Sequence, residues 1–167
     1  MIIEIIVILA LMAIDFPFTV GPAVAWGLSL GLSPFGLLVY YLCAALVFCT
    51  ICFYMLRRNA KKYKVYHVIG EYKGKGAFYS VFLGNLLAHN FDAAASAGRN
   101  GIAFQDAMAA LLASNALYFV TVWLLVALVM LLFSALWVQI VLSAILVSAV
   151  WTLAAHWALG KLGFGKK

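Results

Sequence analysis

Asp92 is a carboxylate in a run too apolar for it, with His89 and Asn90 before it and Ala93-Ala94-Ala95 after it. An acid at the centre of a bilayer helix costs about 3 kcal/mol on insertion scales, so such a group usually faces a cavity and has a partner. A carboxyl group taken out of water is also what a proton-coupled carrier needs. Asp15 is the second acid of this kind, followed by Pro17, Gly21 and Pro22. Asp92 and Asp15 are therefore the candidate proton-coupling or cation-binding groups. Arg99 is the candidate for meeting an anionic headgroup or for neutralising Asp92. His89 and Asn90 are read as a hairpin tip, where His89 could relay protons.

Each of these residues also has a plainer reading. Asp92 or Asp15 could cap the arm that follows it by accepting bonds from free backbone N–H groups. Arg99 could simply reach the cytoplasmic headgroups. Asp106 suits the N-terminus of the next helix, and His156 suits an interface. Asn115 could hydrogen-bond a neighbouring helix, a bond worth about 1 kcal/mol in a membrane. Cys49-Thr-Ile-Cys52 has the spacing of a redox or zinc pair, but cysteines inside a span are more often small hydrophobes. No metal site, cofactor or enzyme chemistry is expected: the sequence has no recognisable Ser-His-Asp set, phosphate loop or hydrolytic carboxylate pair.

The elements that must hold these residues follow from composition and charge. Of 167 residues, 68% are hydrophobic and the mean hydropathy is +1.12, which marks an integral membrane protein. The start, MIIEIIVILAL, carries Glu4 and has neither a basic n-region nor an A-x-A site, so it is not read as a removed signal peptide. Residues 34–56 are free of charge, long enough for one crossing, and end at Arg57-Arg58. Residues 107–159 are also free of charge and long enough for two, with Ser134, Trp137 and Gln139 marking the turn.

Seven of the eleven basic residues lie in 57–75, and Lys161, Lys166 and Lys167 close the chain. The positive-inside rule puts the basic loop, 58–75, and the C-terminus in the cytoplasm. The chain between them must then cross an even number of times. Residues 76–105 are too few for the roughly 40 that two crossings need, and a single crossing breaks the parity. A re-entrant hairpin satisfies both: it enters as GAFYSVFLGNLLA, turns around His89-Asn90-Phe91-Asp92 and returns through Ala93–Gly98. Broken backbone at that depth must be buried in protein or line a wet cavity. Residues 1–33 suggest a mirror hairpin, with one arm over Ile2–Ile14 and a second over Ala23–Leu32. Both hairpins run into a glycine corner, at Gly31 and Gly101, and then into a long span. Inverted repeats of broken helices are a transporter design.

Asp15-Phe-Pro17-Phe-Thr-Val-Gly21-Pro22, then AVAWGLSLGLSPFGLLVYY and Arg57-Arg58, resembles the first half of the DedA/VTT (SNARE-associated) family and the related small multidrug export proteins. Ser96-Ala97-Gly98, Gly101-Ile-Ala-Phe104 and QDAMAALLASNALYFVTVWLLV resemble its second half. The likeness runs over roughly residues 8–133. It implies a lipid flippase or scramblase for phosphate-bearing carriers, coupled to protons. Two departures stand out. The family's hairpin Glu is replaced by Asp15 or by Gly21-Pro22, and its Arg before the Ala-Gly pair is missing, which puts phosphate recognition in doubt.

The expectation is an all-α polytopic membrane protein with three full transmembrane helices and two re-entrant helical hairpins in an inverted repeat. Its halves are 1–57 and 76–133, and 134–167 forms the last span and tail. The expected function is a small transporter in the plasma membrane, a proton-coupled flippase for anionic lipid carriers or small solutes. The other function considered is a non-catalytic subunit of a larger membrane complex. The partners expected are membrane lipid and either a homo-oligomer or other membrane subunits. The net charge of +6 sits where topology needs it and does not imply nucleic acid.

Overall fold

The computed structural model describes residues 1–58, 75–87 and 90–161, and all the regular structure in them is helical. The helices are α1 (Ile2–Ile14), α2 (Pro17–Ser29), α3 (Pro34–Arg58), α4 (Lys75–Leu87), α5 (Asn90–Arg99), α6 (Phe104–Leu132) and α7 (Leu136–Lys161). Most of the basic loop, the tip residue His89 and Lys166-Lys167 lie outside the described residues. Three helices are long and apolar enough to cross a membrane, over Pro34–Met55, Phe104–Leu132 and Leu136–Trp157. The other four have 13, 13, 13 and 10 residues. At 1.5 Å per residue these reach only about 15–20 Å, short of a hydrocarbon core of about 30 Å.

One backbone plan occurs twice. Two short helices lead into a left-handed glycine, and a long helix starts three residues later. Gly31 has φ 81° and Gly101 has φ 69°. In the first corner the Leu32 N–H donates to the Gly27 carbonyl at 3.0 Å; in the second the Ile102 N–H donates to the Ala97 carbonyl at 3.1 Å. These are the closing bonds of the same helix-ending motif, which favours glycine because a Cβ is unwelcome at positive φ. The following helices begin at Pro34 and Phe104. In the first, Ser33 caps: its Oγ accepts from the Gly36 N–H at 3.0 Å, and Pro34 takes the first helical position, where no N–H is missed. A Cβ at Gly31 or Gly101 would meet nothing within 4 Å. Gly31→Ala and Gly101→Ala are therefore expected to lose about 1–2 kcal/mol each through backbone strain alone. Thermal unfolding in detergent measures this directly.

The start of α2 differs from the sequence expectation. Its arm begins at Pro17 rather than Ala23 and carries Pro22 inside the helix. Pro17 stands at the first helical position, and the Thr19 hydroxyl accepts from the Phe16 N–H at 3.2 Å and donates to the Phe16 carbonyl at 2.9 Å. Pro22 removes one intrahelical bond and is about 3 kcal/mol worse than Ala in a helix interior. Packing offsets that cost. Val20, Ala23, Val24 and Ala25 are fully buried, and α2 lies closely along α7. Small residues allow such close approach between helices in a membrane.

The chain forms two compact units. The first holds α1, α2, the start of α3 to Tyr41, α6 from Tyr118, and α7. Its core includes Ile8, Met12, Val24, Val122, Val126 and Val147. The second holds the rest of α3, α4, α5 and α6 to Leu117. Its core is built from Cys49, Cys52, Phe53, Val81, the α5 alanines, Met108 and Leu111. Phe53 and Phe104 meet edge to face at 5.4 Å there. Outward apolar side chains such as Leu124, Leu128, Leu131, Val141 and Ile145 are exposed, as suits helices solvated by lipid. The connection from α6 to α7 contains Ser134; Trp137 and Gln139 fall in the first turn of α7. Gln139 Nε2 donates to the Phe133 carbonyl at 2.6 Å, satisfying a group just past the end of α6.

Candidate functional site

In the second unit, three helices deliver four buried polar side chains. Asn85 comes from the last turn of α4, Asn90 is the first residue of α5, and Ser114 and Asn115 are neighbours on α6. The Leu111 carbonyl fixes their arrangement. It accepts from Ser114 Oγ at 2.9 Å and from Asn115 Nδ2 at 2.8 Å. Asn115 then presents its amide to Asn90, and the two close a reciprocal pair: Asn115 Nδ2 donates to Asn90 Oδ1 at 2.6 Å and Asn90 Nδ2 donates back at 3.1 Å. The Cys49 thiol on α3 also donates to Asn90 Oδ1, at 3.5 Å. Because the Ser114 hydrogen is used on Leu111, Asn85 must approach Ser114 as a donor; its Nδ2 does so at 2.7 Å. Asn85 Oδ1 is left buried with no partner among the described residues.

The charged candidates sit at the ends of α5. Asp92 is its third residue and half-buried; Arg99 is its last and exposed. Seven residues apart, they share a face of the helix and are separated by about 10 Å along its axis. An acid in the first turn and a base in the last both suit the helix dipole. The helix begins at Asn90, and Asp92 lies inside its first turn. Asp106 is exposed in the first turn of α6.

In the first unit Asp15 ends α1 with φ 59° and ψ 39°, a left-handed residue, for which Asp is among the tolerated types. The Tyr41 hydroxyl donates to its Oδ1. Next in α3, the Tyr40 hydroxyl donates to the Leu9 carbonyl at 3.1 Å, so both tyrosines tie α3 to α1 and its end. The buried Tyr118 hydroxyl has no hydrogen-bond partner among the described residues. The Tyr41 and Tyr118 rings are 6.1 Å apart, and Trp151 stands edge-on to Tyr118 at 4.5 Å.

The sequence named Asp15, Asp92, Asn90, Arg99 and Asn115, and the structure gives Asn90 and Asn115 to each other. It did not single out Asn85, Ser114, Tyr41 or Tyr118. The only signal for those four was a polar group inside an apolar helix. Among the described residues no group of three or more His, Cys, Asp or Glu could hold a metal ion. Cys49 is engaged with Asn90, and Cys52 packs in the core. Comparison with family models, curated proteins and solved structures finds no match to this chain.

The arrangement offers two kinds of chemistry. The first unit holds a carboxylate that accepts from the Tyr41 hydroxyl, a group able to carry a proton or hold a cation. The second holds a neutral amide and hydroxyl network beside a half-buried acid.

Proposed function

We infer that the chain is a small secondary transporter of the DedA/VTT type, a proton-coupled flippase for anionic lipid carriers or small solutes. The observation that carries this reading is the recurring plan of two short helices, a left-handed glycine and a long helix. Helices too short to span, carrying polar groups in an otherwise apolar chain, are the parts from which transporters build their sites. The basic residues favour opposite entry for the two hairpins, which makes the repeat an inverted one. Asp92 and Asp15 serve as the proton-coupling groups. Arg99 or the hairpin N-termini attract the anionic headgroup. The chain works in the plasma membrane as a homo-oligomer.

Two measurements on the purified full chain test this. Single cysteines placed along 12–24 and 86–100 are expected to label from one side only within each hairpin, and labelling of positions 78 and 104 from opposite compartments sinks the hairpin. In proteoliposomes holding a headgroup-labelled fluorescent phosphatidylglycerol, a proton gradient is expected to speed exposure of the label to a membrane-impermeant quencher. Rates equal to those of protein-free vesicles would remove the flippase.

A second reading, a non-catalytic subunit of a larger complex, is favoured by the reciprocal closure of Asn90 and Asn115, which turns these amides towards structure. Native gel migration from the source membrane separates the two: one homo-oligomeric band supports the transporter, and a stable hetero-complex supports the subunit.

A further inference from the structure

We propose that the second unit binds a sodium ion at the end of α4, with Asn85 Oδ1 as its principal side-chain ligand and Ser114 Oγ as its neighbour. Four observations lead there. Asn85 is 9% exposed, yet its Oδ1 has no partner among the described residues. An unpaired buried acceptor costs about 1–3 kcal/mol, so such an atom calls for a donor or a cation. Its orientation is fixed outward from the Leu111 carbonyl, through the Ser114 hydroxyl, to the Asn85 amide nitrogen. Flipping the amide would set its oxygen, an acceptor, against a hydroxyl whose hydrogen is already committed to the Leu111 carbonyl, so the unfilled atom is the oxygen.

The surroundings select the ligand class. Asn85 lies in the last turn of a helix, where backbone carbonyls lose their partners and the dipole favours positive charge. Interrupted membrane helices use such ends, with neutral oxygens, to hold sodium. The nearby oxygens belong to an amide, a hydroxyl and a carbonyl; divalent ions call for carboxylates. The site does not depend on the transporter reading and can be tested without a transport assay.

The test is binding of radiolabelled sodium to the detergent-solubilised full chain, together with thermal unfolding in sodium, potassium and choline chloride at equal ionic strength. Wild type is expected to bind sodium saturably and to unfold at a higher temperature in sodium than in the other two salts. Asn85→Leu is expected to weaken sodium binding about tenfold or more, which removes most of the salt-specific shift. Asn85→Asp keeps the oxygen, adds charge and is expected to bind more tightly; it gives an answer even if the leucine variant fails to fold. Three outcomes overturn the proposal: no saturable sodium binding by wild type, potassium matching sodium, or sodium affinity unchanged in a folded Asn85→Leu or Asn85→Asp protein. Any of these would leave a buried water as the partner of Asn85.

Discussion

Asp92→Asn is expected to bring proton-driven transport in proteoliposomes down to the level of protein-free vesicles. The substitution keeps the shape of the side chain and its ability to accept a hydrogen bond, and removes its negative charge together with its capacity to carry a proton. Stability should fall by no more than about 2 kcal/mol, the upper end of the dipole contribution for a first-turn acid that, like Asp92, is half-buried. Yield and gel-filtration profile should therefore match wild type, with at most a modest fall in unfolding temperature. Asp92→Glu, which restores a titratable group on a longer stem, should recover part of the rate. Transport by Asp92→Asn equal to wild type would leave Asp92 as a dipole partner of α5 and nothing more. Asp15→Asn is the companion measurement, since an asparagine can still accept from the Tyr41 hydroxyl. If Asp92→Asn is silent and Asp15→Asn is not, proton coupling belongs to Asp15 alone.

Gly21→Leu is expected to separate α2 from α7 and leave little folded protein. A Cβ at Gly21 would stand 3.0 Å from the Ser143 carbonyl oxygen and 3.1 Å from Val147 Cγ2. The first of these is backbone, so no rotamer change relieves it, and the helices must move apart. Gly21→Ala, with the smallest possible intrusion, should lose about 1–3 kcal/mol despite the better helix propensity of alanine, which is worth about 1 kcal/mol. The sign is the informative part: a gain in stability would mean that α2 and α7 are not packed this closely. Unfolding of the purified variants in mixed micelles measures it. Pro22 sharpens the expectation, because α2 already lacks one internal bond and relies on that packing.

The sequence carried the helical plan because its interruptions are chemically conspicuous. Gly31 followed by Ser33-Pro34 reads directly as a helix end and a new start. Gly101 and Asp106 mark the second corner in the same way. The start of α2 was misread because Pro17, Gly21 and Pro22 resemble a break; only burial against α7 explains how a helix survives them. The turn between α6 and α7 was bracketed by Ser134 and Gln139, but local sequence does not reveal that Gln139 folds back on Phe133. The site was legible where a residue was charged, and at Asn90 and Asn115, though not that these two pair with each other. Asn85, Ser114 and Tyr118 are common inside helices, and their importance lies in which neighbour they meet, a property of tertiary structure. Tyr41 and Asp15 are likewise joined across 26 positions of chain.

The reach of the short helices has an electrical consequence. On the proposed hairpin reading, an upright arm of 13 residues extends about 20 Å, so beneath its tip roughly 10 Å of hydrocarbon remains. If water follows the arm inward, the resting voltage falls mainly across that thin septum instead of across the whole bilayer. A unit charge traversing the septum then takes up most of the roughly 2.3 kcal/mol that each 100 mV supplies. Capacitive currents on rapid pH jumps would register that focusing as a large fraction of the field sensed over a short displacement.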